Sequence, residues 1–472
     1  MNMAKNKQRF SKEANKTYTY KDADSLLANL DDLAKIVDHH RTVQVPRLDE
    51  LDDYYLGNNR SILEGKRRKE EHMADHRATH NHARYVSQFI VGYLTGVPIE
   101  VKHSEEKVQE TIIDINNIND GDALNSELTL DCSVYGRAYE LIFRSKDDEN
   151  RFTLLSPLET FVIYDDTVEQ KPIAGIRHRE QLIDSEDKLI VEVYTKEKIY
   201  IYHASKSGEQ YVLQEEKVHY FDGVPINEYQ NNRFRQGDFE NVLDLIDLYD
   251  ASQNDLANYS QDLQDAMLVI KGRLDLMEDN VDPIQRAKEM KQANILYMEP
   301  ETGADGKEGS VDASYIYKQY DVAGMEAYKT RLTNDIHKFT NVPNMNDENF
   351  AGSQSGEAMK YKLFGLEQVR ASKERYFKRA MKNRYRLINN IMARGSELEK
   401  DTLDDIGIEF TPNFPKNIKE QTDIFNSLGG EISNETALSL LPYEIDIEAE
   451  QERLSQEREK RMQTSSYMDV ES

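Results

Sequence analysis

The 472 residues allow two to four domains and a sizeable core. A net charge of −27 and a pI near 4.9 argue against a sequence-specific DNA binder, which usually carries a basic footprint. With 38% apolar and 31% charged residues the composition suits long helices or an elongated shape, while 27 Tyr and 15 Phe suffice to anchor cores and argue against full disorder.

Residues 1–20 read as a mobile polar arm, whose lysines flank no apolar core of the kind a secretory signal needs. Leu26, Leu27, Leu30, Leu33 and Val37 predict a helix from Asp22 to about Val45, interrupted by Pro46, with a second short helix to Tyr55. Further helices are expected over 79–95, 105–118 and 122–136, the last closed by Gly136. The most apolar window, 89–97, is far shorter than the ~18 residues of a membrane span, so a soluble chain without a membrane partner is expected. The lone Cys132 excludes an intrachain disulfide and a cysteine-based zinc site.

From Arg137 to Tyr229 the texture changes to short β-rich runs, at 137–143, 160–164, 188–195, 198–204 and 210–214. Antiparallel meanders fit them, because no run between them is long enough for a crossover helix. After Gly237 one long helix is expected from Asp238 to Lys271, stopped by Gly272. An insert over 273–320 holds a short helix near 283–292 and two β runs, at 293–298 and 314–320. A helix follows from Asp321 to the residues before Pro343, then a polar loop, then the longest helical run, about Glu357 to Arg394. Lys373, Arg375, Lys378, Arg379, Lys382, Arg384 and Arg386 on that run read as a charged, solvated face. Residues 417–472 hold short helices and a charge-dense tail.

Little of this carries chemistry. His72, His76 and His80 stand four apart, as metal ligands on one helix face do, but no Glu completes a zinc-protease motif, and a solvated helix is the plainer reading. There is no P-loop; Gly303, Gly306 and Gly309 sit in an acidic turn, and Gly352 to Gly356 only superficially resembles a nucleophile elbow. Gly121 does not take an EF-hand position. No catalytic residue, metal or cofactor is expected, and an interaction protein fits better than an enzyme.

Five stretches then matter together, in this order: LDDYYLGNN (51–59), ATHNHARYVSQFIVGYLTGVPIEV (78–101), SVYGRAYELIF (133–143), NNRFRQGDFENVLDLIDLYD (231–250) and FAGSQSGEAMKYKLFGLE (350–367). With the order helix, small insert, helix, polar loop, very long helix, the chain from about 20 to 450 resembles the portal proteins of long-tailed double-stranded DNA bacteriophages. The resemblance implies an α+β, mostly helical fold of wing, stem, clip and crown. It implies a ring, usually of twelve copies, at one capsid vertex of the virion, in chains made in the host cytoplasm. Double-stranded DNA is packaged through such a ring by a separate terminase large subunit and later ejected. Capsid and scaffolding proteins and a head-tail connector or adaptor are the other implied partners. On this resemblance the wing is 21–237, the stem helices are 238–271 and 321–340, and the clip is 272–320. A tunnel loop spans 341–356, the long wing helix and following strand region 357–416, and the crown and tail 417–472. Asn344, Asn346, Asp347, Glu348 and Asn349 would face DNA, and Glu301, Asp305, Lys307 and Glu308 would form the clip's contact rim. A packaging motor or nuclease, or a generic scaffold, are the alternatives; the first would need a Walker motif or a carboxylate metal site.

Overall fold

The computed structural model describes residues 9–64, 74–183, 185–262, 267–271, 312–316, 321–345 and 361–413, with single positions elsewhere between 282 and 309 and between 453 and 456. The chain divides into two compact units, one of residues 1–56, 81–242 and 337–472, the other of 57–80 and 243–336. In chain order the elements are β1 (Tyr18–Tyr20), α1 (Ala23–Ala28), α2 (Leu30–His39), α3 (Val45–Leu56), α4 (Arg60–Leu63), α5 (His82–Thr95), β2 (Glu100–Lys102), α6 (Glu106–Ile118) and α7 (Gly121–Tyr135). There follow β3 (Arg137–Arg144), β4 (Asn150–Leu155), β5 (Thr160–Asp165), β6 (Pro172–Ile183), β7 (Glu186–Tyr194), β8 (Lys198–Ser205), β9 (Val212–Val218) and β10 (Ile226–Gln230). Then come α8 (Leu243–Asp262), β11 (Met267–Lys271), β12 (Asp312–Ile316), the helix Val322–Thr340, the long helix Phe364–Arg394 and β13 (Gly407–Glu409). The class is mixed α+β, as expected.

In the first unit a six-stranded sheet has the order β1-β5-β6-β7-β8-β9, and a three-stranded sheet the order β10-β3-β4. The meander β5 to β9 is antiparallel throughout. β1 is the exception: it pairs parallel to β5, Tyr18 against Ile163. The arm expected over 1–20 is therefore corrected for residues 9–20. Tyr18 is buried against Phe161, and Arg9 pairs with Glu50 at 2.7 Å. An aromatic that removes this much apolar surface from water outweighs the polar residues around it.

Pro46 does not interrupt its helix. A π-helical turn, His40–Gln44, precedes α3, and Val45 N–H bonds the His40 carbonyl five residues back. Proline has no N–H and its ring crowds the preceding turn, and the wider π turn accommodates both. Gly136 ends α7 as read, at φ +83°, where a Cβ would lie 2.1 Å from the Arg235 carbonyl oxygen. Only glycine serves there.

Two apolar clusters fill the first unit. One joins α6, α7, the three-stranded sheet and the long helix through Ile112, Leu128, Tyr229, Met381 and Ile388. The other joins α1 and α2 to the six-stranded sheet through Leu26, Leu33, Ile163, Ile176 and Val191. At its edge His40 and His178 are buried with ring nitrogens 2.8 Å apart. Burial, then the Arg41 cation, pushes the His178 imidazole down to about 4, and burial with its His178 and Arg137 neighbours also lowers His40. Between about pH 6.5 and 4 the unfolded chain therefore binds more protons than the folded one, and stability falls as pH drops through that window. The expected slope is about 1.4 kcal/mol per pH unit for each proton. In urea titrations at stepped pH, His178→Gln should flatten it, and equal slopes in both proteins would contradict the assignment.

In the second unit α8 ends at Asp262, and the expected continuation to Lys271 is corrected: Met267–Lys271 is a strand, antiparallel to Asp312–Ile316. MLVIK is a short apolar run whose strand partner lies some 45 residues away. The expected helix near 283–292, as an element, and the β run at 293–298 lie outside the described residues, as do residues 414–452 and nearly all of the tail. The helix expected from 321 is present as Val322–Thr340. Among the described residues no helix is long and apolar enough to cross a membrane.

Candidate functional site

Of the five loop residues singled out, the structure describes Asn344; Asn346, Asp347, Glu348 and Asn349 lie outside the described residues. Of the four rim residues it describes Lys307, which is exposed; Glu301, Asp305 and Glu308 lie outside. The start of the loop, by contrast, is built in detail. The helix Val322–Thr340 stops at Asn341, whose φ of +58° turns the chain, and Val342 is buried directly after it. His337 Nδ1 donates to the Val342 carbonyl at 3.0 Å. Burial lowers the His337 imidazole, and that hydrogen bond only partly offsets it. Tyr85 Oη donates to the Pro343 carbonyl at 3.0 Å and accepts from Met345 N–H at 3.3 Å. Its ring meets His337 edge-on and stacks with Phe89. One tyrosine from α5 thus clamps both sides of Asn344. Tyr85→Phe should cost about 1 kcal/mol. It should raise amide hydrogen exchange at Met345 about fivefold while leaving the core amides unchanged. An unaltered Met345 rate would show the clamp to be idle.

His76 and His80 are not on a helix, which corrects the solvated-helix reading for those two. His72 lies outside the described residues, and 74–80 belong to no helix or strand. In the second unit Asp250, Asn254 and Asn258, four apart on α8, take the backbone of alternate residues of that stretch. Asn258 Oδ1 accepts His76 N–H at 2.8 Å, and Asn254 Oδ1 accepts Ala78 N–H at 2.7 Å while its Nδ2 donates to the Ala78 carbonyl at 2.8 Å. Asp250 Oδ1 accepts His80 N–H at 2.8 Å. The spacings are compatible: four helical residues rise about 6 Å, and two residues of chain reach about 6.6 Å when extended. The imidazoles are used locally, His80 Nδ1 to Asp250 at 3.0 Å and His76 Nε2 to Gln261 at 2.7 Å. Burial raises the Asp250 carboxyl, with hydrogen bonds from Asn59 and His80 opposing. Among the described residues no three His, Cys, Asp or Glu side chains form a metal cluster.

The basic face of the long helix is only partly solvated. Arg384 and Glu140 are both fully buried and pair at 2.7 Å. Glu140 accepts from Tyr229 Oη at 3.1 Å, Arg384 donates to Asn125 at 3.0 Å, and its guanidinium lies 4.3 Å above the Phe152 ring. Lys373 is buried too, 2.7 Å from Asp238 and bonded to Asn231. In the same unit burial favours a raised Glu228 carboxyl, but Arg235 at 2.7 Å, helped by Arg137 and Tyr164, outweighs it and holds the group at about 2. Arg375, Arg379, Lys382 and Arg386 are exposed, as expected. Such an arrangement fixes a long helix on a sheet.

These features describe a framework that holds the start of the loop and the long helix in place. The chain is 21% identical over 455 residues to the portal protein of Bacillus phage SPP1, covering 90% of this chain and 86% of that one. It is 23% identical over 440 residues to the portal protein of Clostridium phage phiCD119, covering 88% and 93%. Among solved structures it resembles a chain from the neck of an empty GTA particle computed with C6 symmetry, at TM-score 0.41 and 13% identity over 76% of this chain and 90% of that one. A chain from the neck of a native GTA particle computed with C12 symmetry gives 0.40 and 13%, over 77% and 90%. A family model described as phage portal protein, SPP1 Gp6-like, matches residues 34–464, and the chain belongs to that family.

Proposed function

We propose that copies of this chain close into a ring, most often of twelve, at one vertex of a phage capsid, and that double-stranded DNA is packaged and later ejected through its channel. The observation that carries the proposal is the family match across residues 34–464. In this reading α8 and the helix Val322–Thr340 are the stem, the segment between them is the clip, and the loop 341–356 lines the channel. Asn344, Asn346, Asp347, Glu348 and Asn349 face DNA there, and Glu301, Asp305, Lys307 and Glu308 meet the terminase motor and then the head-tail adaptor. Capsid and scaffolding proteins hold the flanking wing and crown. The chain itself does no chemistry; the terminase large subunit supplies the work.

The charge supports a conduit. Each copy brings −27, while the cargo carries one phosphate charge per ~1.7 Å of axis, so duplex slides past more readily than it adheres. In an infection or in-vitro packaging assay, deletion of residues 345–352, bridged with Gly-Ser, should leave assembly intact and deplete DNA-filled particles. Normal filling would remove the loop from its role, and normal filling with the whole chain omitted would remove the portal reading.

A further inference from the structure

Four cations stand on one exposed face of the long helix. Arg375, Arg379, Lys382 and Arg386 follow at spacings of four, three and four, a straight stripe about 16 Å long. None of them makes an ion pair among the described residues, although Lys378 and Arg370 on the same helix are paired with Glu374. In a chain of net charge −27, four neighbouring cations without counter-ions repel one another and leave acid unmatched elsewhere.

The complement stands on α6. Glu106, Glu110 and Asp114, also four apart, form an exposed acidic stripe about 12 Å long. They too make no ion pair among the described residues. Ile113 and Ile118 beside them are 47% and 41% exposed. These two side chains would add apolar contact area to a docked partner at the acidic stripe. Both helices pack into the same apolar cluster by their other faces, and no ion pair joins the two stripes within one copy.

We propose that the basic stripe of the long helix docks on the acidic stripe of α6 in a second copy of this chain. The contact is heterologous, since different surfaces meet, and repeated with a fixed rotation such contacts close a ring. The proposal rests on the ring reading above and adds to it which faces meet. Opposed helical stripes of opposite charge also fix register and exclude like-charged approaches.

The test is a charge exchange, read by sedimentation velocity across a concentration series at 0.15 M salt, where screening reaches about 8 Å. Arg379→Glu with Lys382→Glu should raise the concentration for half-assembly about tenfold, and so should Glu110→Lys with Asp114→Lys. The four changes together should restore most of the loss. All four sites are exposed, and unchanged circular dichroism and melting confirm that the variants fold. Variants that assemble like the parent, or a combination as weak as either half, overturn the docking while leaving the ring reading standing. Variants that assemble normally but lose binding to a fluorescent duplex assign the stripe to DNA, and also overturn it. A parent chain that stays monomeric throughout sinks the ring reading itself.

Discussion

Arg384→Met should destabilise the first unit by about 3–5 kcal/mol, among the largest effects any single change in it will produce. The substitution keeps most of the side-chain volume but leaves the Glu140 carboxylate fully buried opposite a thioether, with only Tyr229 Oη and Asn227 to bond it. Removing one partner of a buried pair is costly because the other charge stays desolvated. Adding Glu140→Leu to Arg384→Met should therefore recover most of the loss in urea titrations. A single variant within 1 kcal/mol of the parent (about a fivefold change in folding equilibrium) would contradict the pairing.

The second large effect is local. Asn254 is fully buried, and Asn254→Ala leaves Ala78 N–H and carbonyl without partners. Each of these two part-buried hydrogen bonds contributes about 0.5–1.5 kcal/mol. The stretch 74–80 should release from α8 well before the unit unfolds, so that Ala78 exchanges its amide proton at least tenfold faster and limited trypsin cuts after Arg77. Parent-like protection at Ala78 would show that the asparagine ladder does not hold the segment.

Much of this framework was legible in the sequence, and the exceptions share a cause. The helices α6, α7 and Val322–Thr340 show regular apolar spacing and were readable within a residue or two. β1 was not, because its partner β5 lies about 145 residues away and nothing in Tyr18-Thr19-Tyr20 announces a parallel pairing. β4, β6 and β10 lie within the β-rich stretch read from Arg137 to Tyr229 without being singled out, and in β6 the polar run Arg177 to Gln181 hides the alternation. Met267 and Ile270 continue the spacing of α8, so only the pairing with β12 reveals a strand.

The charges divide the same way. Arg384 stands three residues after Met381 and four before Ile388, so a helical projection places it on the apolar face; composition alone hid that. The ladder had a signal too, since Asp250, Asn254 and Asn258 are weak helix formers repeated at one spacing. What no periodicity shows is that their side chains face a second backbone. The family itself was legible from five ordered stretches, and the match over 34–464 upholds it.

The central claim is that this chain builds a closed channel. Electron-microscope class averages of the purified protein measure that directly. The account predicts end-on views of closed rings around a central hole, most often with twelvefold symmetry. A population that stays monomeric or dimeric at every concentration and salt would contradict it.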